Sequence, residues 1–101
     1  MSDDIDVLKP DLKPKTEQPK LYKVVLLNDD YTPREFVVQV LKAVFRTTED
    51  QAYRIMMTAH QKGACVVATY TRDVAESKAT EAMDMSRSNG FPLAFSTEPE
   101  E

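Results

Sequence analysis

Leu26-Leu27-Asn28-Asp29-Asp30-Tyr31-Thr32-Pro33-Arg34-Glu35-Phe36 is the stretch on which the fold turns. It closes an apolar strand, makes a polar corner and starts a helix. Thr32 followed by Glu35 has the spacing of a capping box, and Pro33 falls at the first helical position, where a missing N–H costs nothing. This spacing predicts a helix beginning at Pro33. Asn28, Asp29 and Asp30 would then be held between two rigid elements, with apolar Val37 close by.

Working outward, residues 21–27 are rich in aliphatic and β-branched side chains and read as a strand, buried on both faces near its end. Phe36, Val37, Val40, Leu41 and Val44 recur at helical spacing, so the first helix should run over 33–45. Thr47 or Thr48 can cap a second helix, with Glu49 and Asp50 in its first turn and Gly63 as a left-handed stop. Its inner stripe is Ala52, Ile55, Met56 and Ala59, and His60 lies one turn beyond Met56. Residues 64–71 form the second strand, and Thr71 caps a third helix over 72–88. Along one side of that helix lie Val74, Ala75, Ala79, Ala82, Met83 and Ser86. Asn89-Gly90 ends it, and residues 93–97 make a short third strand. The order β-α-α-β-α-β predicts an α+β domain of three helices packed on a small three-stranded, mainly antiparallel sheet.

The flanks read differently. Residues 1–20 alternate acidic residues with lysine and carry Pro10, Pro14 and Pro19, which points to a disordered N-terminal arm. The core domain is expected over 21–97, with an acidic tail at 98–101. The whole is 101 residues with a formal net charge of -4. That balance speaks against a nucleic-acid binder, which shows a basic patch, and against an anionic membrane surface. No signal peptide or membrane-spanning run is read, so a cytoplasmic protein is expected, with monomer as the default state. The single cysteine, Cys65, cannot form an internal disulfide, and no metal-ligand spacing accompanies it. We expect no metal and no cofactor.

Taken one at a time, the chemistry-bearing residues read as structural. Adjacent Asp29 and Asp30 point in different directions, which is wrong for paired-carboxylate catalysis. A calcium loop fails because the sixth position from Asn28 is Pro33, where glycine is needed. No nucleophile with an orienting group and an oxyanion hole accompanies His60, the only histidine. We therefore expect no enzyme and no catalytic residue. Taken together, however, an amide oxygen, a carboxylate and a neutral imidazole nitrogen match the three donors and the charge of a primary ammonium. Asn28, Asp29 and His60 supply that set if the second helix turns His60 toward the corner. The residues alone leave this reading level with a plain protein-interaction module that works through the third helix.

The segment YKVVLLNDDYTPREFV, with the later H-x-x-G, VAESKA and FPL, resembles the ClpS family of bacterial adaptors, over roughly residues 21–97. That family hands N-degron substrates to the ClpAP protease. The resemblance implies that Asn28, Asp29 and His60 bind the substrate's free α-amino group. Asp30 and Thr32 would shape the corner, while Val37, Met56, Ala59 and Leu93 would hold the N-terminal side chain of Phe, Tyr, Trp or Leu. It further implies docking on the N-terminal domain of the ClpA AAA+ unfoldase through Asp73, Glu76 and Lys78, and a delivery role for the arm. Two positions depart from the family pattern. Arg34 stands where the best-known members carry a methionine at the pocket mouth, and Ala59 replaces a larger apolar residue.

Overall fold

The computed structural model describes residues 19–101, so most of the arm expected over 1–20 lies outside the described residues. The elements follow in the expected order: β1 (Leu21–Leu27), α1 (Arg34–Phe45), α2 (Glu49–Lys62), β2 (Ala64–Thr71), α3 (Arg72–Ser88) and β3 (Ala94–Pro99). The three strands form one antiparallel sheet in the order β2-β1-β3. The fold is thus the α+β arrangement of three helices and a three-stranded sheet.

β1 is the central strand, which explains its run of apolar letters. Val24 pairs with Ala68 on one side and Thr97 on the other, and Leu26 pairs with Cys65 and Phe95. Val24, Val25 and Leu26 are all buried. A bulge between Val24 and Val25 shifts the register against β2 by one residue, which adds local twist next to the corner. Side chains alternate across the sheet, so Val24 and Leu26 project to the same face. There they join Val40, Leu41 and Val44 of α1, Ala52, Met56 and Ala59 of α2, and Ala75, Ala79 and Ala82 of α3. The alanines let α3 lie close to the sheet, and buried Ser86 satisfies its hydroxyl on the Ala82 carbonyl at 2.9 Å. Val74, expected on this inner side, is instead exposed. Phe36 packs against Phe91 at 4.8 Å between ring centroids, and Phe45 against Phe95 at 5.4 Å.

Local expectations at the two ends of the core are corrected. The capping box at Thr32 does not form: α1 begins at Arg34, with Pro33 as the extended cap residue and no side-chain capping bond. The Pro33 carbonyl accepts from Phe36 N and Val37 N instead. The box is found one helix later, where the Thr48 hydroxyl accepts from Gln51 N at 3.1 Å and the Gln51 side chain accepts from Thr48 N at 3.0 Å. The acidic tail is also shorter than expected. Glu98 and Pro99 pair with Lys23 and Tyr22, and Glu100 N–H donates to the Leu21 carbonyl at 2.8 Å.

Candidate functional site

The end of β1, the corner, the first turn of α1 and the last turns of α2 converge on a cavity of about 290 Å³. Its floor is apolar. Leu26, Val37, Met56, Ala59 and Leu93 line it and are all buried, between 2% and 6% exposed. Its rim is polar, with Asn28, Asp29, Asp30, Thr32, Arg34 and His60. Every residue expected at the α-amine and in the pocket therefore lines one cavity. The volume lies at the small end for ligand sites, which run from about 300 to 1,000 Å³. It suits a single side chain rather than a long ligand.

The corner is built by Asp29. Its Oδ1 accepts from Tyr31 N at 2.7 Å and from Thr32 N at 3.0 Å, and its Oδ2 accepts from the Thr32 hydroxyl at 2.7 Å. Thr32 does not cap α1: the hydrogen bond its hydroxyl donates to Asp29 turns that side chain back into the corner, away from the α1 N–H groups from which a capping oxygen would accept. Thr32 is buried at 8% exposure as a result. The Asp30 carboxylate, by contrast, is exposed and enters no side-chain hydrogen bond or ion pair among the described residues. The two adjacent aspartates thus divide: one holds the loop, and the other faces the cavity mouth unencumbered.

His60 reaches the rim from the last turn of α2, one turn beyond buried Met56. It is exposed and makes no side-chain hydrogen bond among the described residues, so an acceptor nitrogen is open to a ligand. The Asn28 side chain is likewise exposed and without a protein partner among the described residues. Its backbone N–H donates to the Gly63 carbonyl at 3.0 Å, which ties the corner to the end of α2. Exposed Arg34 stands on the rim beside Met56, where its aliphatic stem can cover apolar surface while the guanidinium stays in water. Leu26, Leu27 and Pro33 also line the cavity, although the sequence reading did not single them out. For Leu26 the signal was present in the strand alternation that turns it to the same face as Val24.

The second surface lies on α3. Asp73 and Glu76 are exposed near its start, where they adjoin Ser77, Thr80, Glu81 and Asp84. Lys78, which the family resemblance puts in the docking surface, is partly buried. Its Nζ donates to the Val44 carbonyl at 2.9 Å, where it meets the carbonyl-rich end of α1. Cys65 is half-buried in β2, and burial pushes its thiol above the usual range, outweighing the Thr58 hydrogen bond and the nearby Lys62 charge. Among the described residues, no three His, Cys, Asp or Glu side chains converge to hold a metal ion. No described helix is long and apolar enough to cross a membrane.

Comparison with known proteins agrees with this architecture. The chain is 63% identical over 101 residues to "ATP-dependent Clp protease adapter protein ClpS 1" of Bradyrhizobium diazoefficiens, covering 100% of both chains. To "ATP-dependent Clp protease adapter protein ClpS 2" of Mesorhizobium japonicum it is 66% identical over 90 residues, 89% of each chain. Among solved structures it resembles Agrobacterium tumefaciens ClpS2 bound to L-phenylalaninamide, with a TM-score of 0.80 and 65% identity. That match covers 82% of this chain and 100% of the other. Residues 17–96 match the family described as ATP-dependent Clp protease adaptor protein ClpS. The chain belongs to the ClpS family of adaptors of the Clp protease.

Proposed function

We propose that this adaptor recognises the first residue of its substrates through two features at once, a free α-amino group and a bulky hydrophobic side chain (Phe, Tyr, Trp or Leu). The observation that carries this reading is the union, in one small cavity, of an apolar floor with the acceptor groups of Asn28, Asp30 and His60 on its rim. Burying one aromatic or leucine side chain against Val37, Met56, Ala59 and Leu93 contributes about 1.5–3 kcal/mol. Charge-assisted hydrogen bonds to the ammonium add about 1.5–3 kcal/mol each before ordering costs. Neither term alone gives tight binding, so both features are needed for selection. The Asp29 carboxylate adds negative charge near the ammonium, but its own bonds go to the corner. The phenylalaninamide in the related Agrobacterium structure supports the same reading, since it carries a free α-amine, a benzyl side chain and an amide in place of the next peptide unit.

Delivery follows from a second contact. The start of α3, with exposed Asp73 and Glu76, docks on the N-terminal domain of a ClpA-type AAA+ unfoldase in the bacterial cytoplasm. Lys78 supports that helix from beneath through its bond to Val44. The adaptor has no catalytic role of its own in this account. The test is a reconstituted degradation assay with ClpA, ClpP and a reporter that begins with Phe. The adaptor should accelerate loss of the reporter, and Asp73→Arg/Glu76→Arg should abolish that acceleration while leaving peptide binding intact. Full acceleration by the double variant would refute docking through this surface.

A further inference from the structure

Asn28 and His60 come from different elements, and the recognition of one ammonium by both requires their spacing to be fixed. Their side chains are not bonded to each other. The link between the two elements is Gly63, the residue that ends α2. Its N–H donates to the Ala59 carbonyl at 2.8 Å, on the cavity floor, and its carbonyl accepts from Asn28 N–H at 3.0 Å. One residue thus joins the helix that carries His60 to the backbone that carries Asn28. The neighbouring pair Leu27–Ala64 extends the same ladder into the sheet.

The conformation that aims this carbonyl is left-handed, with φ 92° and ψ -23°. A Cβ at Gly63 would meet nothing within 4 Å. The demand for glycine is therefore conformational and not a matter of space. An ordinary L residue is strained in this region, and relaxing it rotates the peptide that bears the carbonyl. Asparagine visits left-handed backbone more readily.

We infer that Gly63 is a positioning residue for recognition of the primary ammonium, setting the distance between Asn28 and His60 through its carbonyl. This inference rests on the reading of the cavity given above. It is tested with two peptides identical except at the first residue, one beginning with Phe and the other with 3-phenylpropionyl, which lacks the amine. Gly63→Ala should weaken the free-amine peptide about fivefold to tenfold and leave the des-amino peptide unchanged. Gly63→Asn should recover most of the loss. On an Asn28→Ala background the effect of Gly63→Ala should vanish, an interaction that a merely structural role would not produce. Additive losses in that cycle, or an unchanged free-amine preference in a folded Gly63→Ala variant, overturn the inference while the cavity reading survives. Equal binding of the two peptides by the unaltered chain overturns both. If Gly63→Ala does not fold, ¹H–¹⁵N spectra of the unaltered chain decide. Phenylalaninamide should shift the Asn28 and Gly63 amides together and 3-phenylpropionamide should shift neither, whereas movement of Asn28 alone refutes the link.

Discussion

Asp29 and Asp30 are neighbours of the same type on the same rim, yet the structure gives them separate duties, and alanine at each should separate stability from binding. Asp29→Ala removes three acceptor contacts at 2.7, 3.0 and 2.7 Å. The Tyr31 N–H is exposed and regains water, but Thr32 is buried, so its N–H and hydroxyl lose their partner. Hydrogen bonds to a charged group are worth about 1.5–3 kcal/mol, so losing two gives a destabilisation of about 3 kcal/mol. For a domain of this size each kcal/mol moves the midpoint by about 4–8 °C, which predicts a fall in Tm of at least about 10 °C. Asp29→Asn keeps an acceptor for the two backbone N–H groups and should lose less. Asp30→Ala touches no protein hydrogen bond among the described residues and should melt within about 0.5 kcal/mol of the unaltered chain. Its affinity for a Phe-initiated peptide should nevertheless fall about tenfold, the loss of one charge-assisted bond. Thermal melts by circular dichroism and peptide titrations by fluorescence anisotropy read the two quantities. An Asp29→Ala variant that melts normally, or an Asp30→Ala variant that melts early with full affinity, would refute the division.

Three further outcomes follow. Lys78→Met keeps the aliphatic stem but leaves the Val44 carbonyl without its donor, so chemical denaturation should show a loss of about 1 kcal/mol with peptide affinity unchanged. His60→Ala removes an acceptor from the cavity rim, so affinity for a Phe-initiated peptide, read by fluorescence anisotropy, should fall about tenfold with the melting temperature little changed. Cys65, whose thiol burial holds above its ordinary range, should react with iodoacetamide more slowly at neutral pH than a free thiol and accelerate several-fold on unfolding.

Much of this molecule is legible in its letters because the local signals agree. The apolar run of β1, the helical spacing from Phe36 to Val44 and the glycine after Lys62 each name an element and its end. What misled was competition between signals. Thr32 and Glu35 have capping spacing, but Asp29 lies three residues earlier and accepts from the threonine hydroxyl, which turns that side chain into the corner, and the helix starts on Pro33's own carbonyl. The true capping box, at Thr48 and Gln51, has a glutamine where a glutamate draws the eye. The bond Lys78 makes was not legible because nothing local reveals the Val44 carbonyl, contributed from a distant turn of chain. Gly63 was readable as a helix stop, but its grip on Asn28 exists only once β1 and β2 pair. Asn28, Asp29 and His60 stood out by their chemistry, and the pocket residues were identified through family resemblance. Their meeting in one cavity is a product of tertiary packing.

The most direct test of the central claim is anisotropy of a labelled peptide beginning with Phe, measured beside the same peptide acetylated at its N-terminus. Micromolar or tighter binding of the free peptide is expected, since one buried side chain and two or more charge-assisted bonds supply about that much. Acetylation should abolish nearly all of it, because the blocked amine strands the acceptors of Asn28, Asp30 and His60. Equal affinity for the two peptides would contradict the claim.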